Sequence, residues 1–215
     1  MSIALSIGNN LTTNGVFTAD AVNNTSVTNV TDFASVPGGG ALKLLSTQTA
    51  SASASIEFSL DDSYDSYVFK IINCHPATDN VDFEFQGSTN NGSSYGVSIT
   101  STSFRSHADS AGGSTQVVYL TDQDLANSTS FQKLSNNTSG DNDDGHSCTI
   151  HLFSPSSNTF VKHFITTSFY VAQNDSVINR FEGGYFNTTS PITNLKFQMS
   201  SGNIDAGIIK MYGVV

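Results

Sequence analysis

Metal-ligating side chains concentrate in two stretches of this 215-residue chain. The segment GDNDDGHS brings Asp141, Asp143 and Asp144 together just ahead of Gly145. Hard cations such as calcium take several carboxylate and carbonyl oxygens from one tight loop. With Gly145 at the sixth position of a twelve-residue calcium loop, Gly140 falls first and His151 last, where such a loop needs carboxylates. The signature fails, and a solvated hairpin loop is expected. The second set is NCHP, with Cys74 and His75, together with GHSCTIH, with His146, Cys148 and His151. Four such ligands could close a tetrahedral zinc site if the two stretches were neighbouring strands. However, His-x-Cys-x-x-His matches no compact zinc signature. Strand alternation also puts His146 and Cys148 on one face and His151 on the other. No metal site is therefore assigned. Cys74 and Cys148 are expected to be reduced thiols lying in strands rather than a disulfide.

Catalytic patterns are equally thin. There is no G-x-S-x-G elbow, and no strand-to-helix turn that would present one. A glycosidase needs two carboxylates facing a cleft, but alternation places Glu57, Glu84 and Glu182 on outward strand faces. Gly38-Gly39-Gly40 precedes neither Lys-Ser/Thr nor a helix, so no phosphate loop is present. The chain is read as non-enzymatic, with no catalytic residue and no cofactor. Tyr64, Tyr95, Phe104 and Tyr185 lie near expected turns, where rings either stack on sugars or cap a core. No specific ligand-binding residue follows from that placement.

The elements that would have to carry such sites are strands. Charged residues are 12% of the chain, about half the usual share of roughly 25%. In their place stand 33 Ser, 23 Thr and 20 Asn, and the formal net charge is −10. The eight Lys and Arg are scattered singly. Without a basic patch, neither a nucleic-acid backbone nor an anionic membrane surface is an expected partner. No apolar run approaches the roughly 18 residues of a spanning helix. MSIALSIGNN has no basic and apolar leader pattern, so no signal peptide is read and synthesis in a cytoplasm is expected.

SIEFSL alternates with Ile56, Phe58 and Leu60 on one face; SYVFKIIN does so with Tyr67, Phe69 and Ile71. In NVDFEFQGS, Val81, Phe83 and Phe85 face inward while Asp82, Glu84 and Gln86 face outward. LDDSYD, CHPATDN and STNNGSS separate these runs as turns. Further strands are expected in YGVSITS, TQVVYLT, HSCTIHLF, TFVKHFITTSFYVA, RFEGGYF, NLKFQMS and AGIIKMYG. About ten strands and no amphipathic helix predict an all-β, antiparallel, jelly-roll-like sandwich over residues 41–215. Residues 1–40 have little periodicity and end in three glycines. They are expected to form an extended arm used in docking, or a first strand followed by a long loop.

LDDSYDSYVFKIINCHPATDNVDFEFQGSTNNGSSY, followed by GNIDAGIIKMYGVV, resembles virion structural proteins of tailed bacteriophages, particularly marine ones. The shared features are a Tyr-x-x-Tyr strand, an Asn/Pro/Thr/Asp turn, a second alternating strand, a Ser/Asn/Gly-rich hairpin, and a closing Gly-x-I/L-x-L/M-Tyr-Gly strand, here Gly207 to Gly213. The resemblance implies a capsid-decoration or fibre- and tail-associated subunit on the outside of the virion. It further implies assembly as a homo-oligomer, commonly a trimer, in contact with other virion proteins and made in the host cytoplasm. A carbohydrate- or receptor-binding adhesin module, recognising a host surface glycan, is the alternative expectation.

Overall fold

Antiparallel pairing organises every strand of the computed structural model, which describes residues 41–215. The expected N-terminal arm lies outside the described residues. Twelve strands follow one another: β1 (Leu42–Ser53), β2 (Ile56–Ser59), β3 (Ser66–Pro76), β4 (Phe83–Ser88), β5 (Ile99–Asp109), β6 (Thr115–Tyr119), β7 (Gln132–Lys133), β8 (His146–Phe153), β9 (Lys162–Val171), β10 (Ser176–Phe186), β11 (Asn194–Met199) and β12 (Ile204–Val214). One sheet has eight strands in the order β1-β12-β3-β8-β9-β10-β5-β6, and the other has four in the order β2-β11-β4-β7. From β1 to β4 the chain alternates between sheets, and β11 and β12 return between them, which gives the jelly-roll-like winding. β12 pairs with β1 on one side and β3 on the other, so the GIIKMYG run lies inside the larger sheet.

The alternating runs fold as their pattern dictates. Ile56, Phe58, Tyr67, Phe69, Ile71, Val81, Phe83 and Phe85 are all buried. They join Phe197, Leu195, Ile150, Leu152 and Ile209 in one core between the sheets. Its centre is aromatic: Phe58 meets Phe69 edge-on at 5.6 Å, Phe69 meets Phe197 at 5.6 Å, and Phe85 meets Phe164 edge-on at 5.2 Å. Two glycines of the closing motif are dictated by packing. Gly207 sits at φ +130°, and a Cβ there would come within 2.6 Å of Cys74 Cα. A Cβ on Gly213 would enter the ring of Tyr64 at 2.5 Å.

Three expectations are corrected. Gln86 is buried, not outward: its side-chain amide donates to Thr129 O at 3.2 Å and Ser130 O at 2.9 Å, because that passing segment covers β4. Glu182 is buried too. Ile178 and Phe186 set the parity of β10, and Arg180 and Glu182 between them share the inward face. Finally, β5 runs eight residues beyond the expected YGVSITS, to Asp109. Its later inward positions are polar, which erases the hydrophobic alternation there.

Replacing Phe197 by Ala should cost about 3–5 kcal/mol, since the void would open amid four rings, Phe58, Phe69, Phe83 and Phe85. Urea unfolding would measure it, and a loss below about 1 kcal/mol would mean the aromatic centre is more plastic than its packing indicates.

Candidate functional site

The interior is divided between two kinds of cover. The four-stranded sheet lies over the apolar half. Over β9, β10 and β5 the cover is the irregular segment from Leu120 to Ser139, in which β7 is only two residues long. Such a segment has few ladder partners for its own backbone groups, which must find side chains instead. The inward faces of β5, β9 and β10 supply them. Arg180 Nη2 donates to Lys133 O at 2.9 Å, and Nη1 donates to Gln123 Oε1. Arg180 Nε faces Glu182 Oε1 as an ion pair with both side chains fully buried, and the Thr166 hydroxyl donates to Glu182 Oε2. Ser101 Oγ donates to Gln132 Oε1 at 2.6 Å and accepts from Leu125 N at 3.0 Å. Burial pushes the Glu182 carboxyl up, and the adjoining Arg180 and Thr166 oppose that shift. The network ties the cover to the sheet and leaves the carboxylate facing no cleft.

The metal-ligand candidates do not converge. His146 packs between the rings of Phe83 and Tyr170, at 5.0 and 5.8 Å. Among the described residues neither of its ring nitrogens has a well-formed hydrogen bond, although the Leu134 backbone lies close by. Cys148 is buried on the same face and accepts from Ser168 Oγ at 3.2 Å, whereas His151 sits on the opposite face beside Phe153. Both cysteines are free and buried. Burial pushes the Cys74 thiol up to about 12 and raises Cys148 as well, which suppresses thiolate chemistry. His75 points to the acidic loop: its Nε2 lies 3.0 Å from Asp141 O, and its Nδ1 lies 3.8 Å from Asp205. Among the described residues, no three His, Cys, Asp or Glu side chains are grouped to hold a metal ion.

Glu57 and Glu84 belong to the smaller sheet and are held by neighbours. Glu57 accepts from Tyr95 Oη at 2.8 Å and pairs with Lys196 at 3.5 Å, while Lys196 Nζ stands 5.2 Å above the Tyr95 ring. Glu84 accepts from Gln198 Nε2 at 2.8 Å, and burial raises its carboxyl. Of the four aromatic candidates, Tyr64 packs edge-on to Tyr67 against the core and Tyr95 sits in the Glu57 cluster. Phe104 and Tyr185 are not at turns: they lie within β5 and β10, on the outward face of the larger sheet.

That outward face is the feature that sequence reasoning missed. Thr47, Lys210, Lys70, Thr149, Thr167, Phe181, Phe104 and Tyr119 stand in register across all eight strands. Phe104 stacks on Phe181 at 5.2 Å, and nine of the eleven exposed large hydrophobic residues lie on this side. Phe169 and Ile165 are each 54% exposed and Val117 is 79% exposed. None of the cross-strand rows contains Asp or Glu, although the chain has 18; the one strand carboxylate on this side, Asp205, sits at the far end beside His75. Isolated exposed apolar residues are ordinary, but a continuous face of them indicates a contact surface.

No protein-family model matches the chain, and no curated protein matches it.

Two predictions concern the interior. Removing one member of the buried pair, by Glu182→Leu or Arg180→Met, should cost about 3–5 kcal/mol, whereas the two substitutions combined should cost less than the two single losses added together. Strict additivity in denaturant unfolding would mean that the pair is not coupled. His146 gives a pH signature. Desolvation pulls its pKa down from 6.5 to about 3. Between those values the unfolded chain takes up a proton that the folded chain refuses, so stability falls as pH drops. By pH 5 this one group should remove about 2 kcal/mol. His146→Phe should lack that share of the acid sensitivity, and parallel losses in both proteins between pH 7 and 5 would refute it.

Proposed function

We propose that this chain is a non-enzymatic structural subunit of a virus particle, of the accessory bacteriophage type, that assembles through the outward face of its eight-stranded sheet. The observation that carries the assembly role is that face, broadly apolar and free of carboxylates across its rows in a protein of net charge −10. The virion assignment rests on the resemblance of residues 60–95 and 202–215 to phage structural proteins. Host-surface glycan recognition is the second role that this resemblance leaves open.

The face is sized for a specific contact. Seven inter-strand spacings and five rows of outward side chains give a projected area of roughly 900 Å², against about 800 Å² per partner in a standard interface. Its occupant is a second copy of this chain. Lys70 and Lys210 stand directly opposite each other on the face, with Lys70 Nζ 5.7 Å above the Tyr212 ring. Like charges in that relation are unfavourable unless a carboxylate meets them. The carboxylates lie on the other surfaces and loops, so the face of one copy meets an acidic flank of the next. A head-to-tail contact closes into a ring when its rotation permits, and a trimer is the closed assembly that the resemblance to phage structural proteins implies.

Light scattering on the purified chain should give three times 22.8 kDa. Phe104→Asp combined with Phe169→Asp should yield a monomer that still unfolds cooperatively, with a midpoint that no longer depends on protein concentration. A wild-type monomer at all concentrations, or a trimer indifferent to both substitutions, would remove this face from assembly.

A further inference from the structure

We propose that the cavity where β5 and β10 emerge from beneath the Leu120–Ser139 cover binds the carboxylate of an acidic sugar, a hexuronate. This rests on observations separate from the assembly face. The cavity measures about 240 Å³ and is lined by Arg105, His107, Asn136, Asn137, Gln173 and Asn174, among others. Arg105 stands directly opposite Arg180 in the β5–β10 ladder. The carboxylate on that face of β10, Glu182, is paired with Arg180. Arg105 Nε and His107 Nδ1 are both buried and have no hydrogen-bond partner among the described residues. Among the described residues, no carboxylate lies within ion-pair distance of Arg105.

The nearby acids are engaged or turned aside. Asp82 pairs with Lys133 at 2.7 Å and accepts from Asn137 N at 3.0 Å. Asp109 accepts from Gly113 N at 2.7 Å, at the β5–β6 turn. Asp175 is exposed on the β9–β10 turn and is not part of the lining.

A planar guanidinium with free donors matches a carboxylate through two parallel hydrogen bonds. Of the four side-chain amides around it, Asn136 and Asn137 donate through Nδ2 to Asp82 and Asn80, while Gln173 and Asn174 on the exposed turn offer both donors and acceptors, which is what vicinal hydroxyl groups require. The lining is therefore suited to a ligand that presents one anion among several hydroxyls. A bare anion would use the guanidinium and leave the amides idle.

Titration of the full-length protein with glucuronate, glucose, acetate and sulfate, followed by side-chain amide and imidazole NMR shifts, separates these cases. Glucuronate should move the His107 and Asn/Gln signals, and glucose should bind at least about tenfold more weakly. Arg105→Gln should weaken glucuronate by about tenfold or more, the cost of a charge-assisted pair. Asn174→Ala, on an exposed turn, is a second variant that should reduce glucuronate affinity without disturbing the fold. Glucose binding as well as glucuronate, acetate or sulfate matching glucuronate, or glucuronate affinity unchanged in both variants would each overturn the proposal. So would the absence of any shift at tens of millimolar glucuronate.

Discussion

The buried Arg180–Glu182 pair is the constraint around which half of this sandwich is organised. A four-stranded sheet cannot cover an eight-stranded one, and the uncovered strands β9, β10 and β5 still need their inner face shielded from water. The chain meets that need with an irregular segment, whose backbone carbonyls and amides require partners. Arg180 and Ser101 provide them from below, and Gln132 does so from within the cover itself. A guanidinium placed there needs a counter-charge, and Glu182, two residues along the same face, supplies it without a second element. Desolvating both ions is costly, so the pair is better understood as specifying how the cover docks than as a source of net stability.

The same arrangement leaves Arg105 without an ion-pair partner among the described residues. β5 brings Arg105 alongside Arg180 by simple register, and the cover ends before reaching it. A polar cavity at a sandwich end thus follows from the mismatch between two sheets of unequal width. Its amide lining comes from the cover on one side and the β9–β10 turn on the other.

Width also explains the opposite surface. Eight strands in one sheet expose a broad outer face, and with charged residues so few, its positions are filled by Thr, Ser and apolar side chains. On a free monomer those apolar groups would remain in water. The carboxylates are lodged mainly in loops, on the smaller sheet and in the buried pair, which leaves the charges of this face to Lys70 and Lys210 in neighbouring strands and Asp205 at its far end.

Much of the fold was legible in the alternation alone. HSCTIHLF is β8 residue for residue, and the inward Phe83 and Phe85, Tyr67 and Phe69, Ile56 and Phe58 are where period two puts them. The reason is local: a strand with one apolar face must turn that face inward. β10 shows where local information ends. Val177 and Phe181 on one side compete with Ile178 and Phe186 on the other, and only the neighbours β5 and β9 decide which side is buried. That decision carried Glu182 inward and Phe181 outward. The long β5, the meeting of Arg105 with Arg180, and the broad apolar face all depend on which strands pair across 60 or more residues of chain. Composition and spacing set which segments become strands; partner choice, a long-range balance of packing and desolvation, set which side chains face each other.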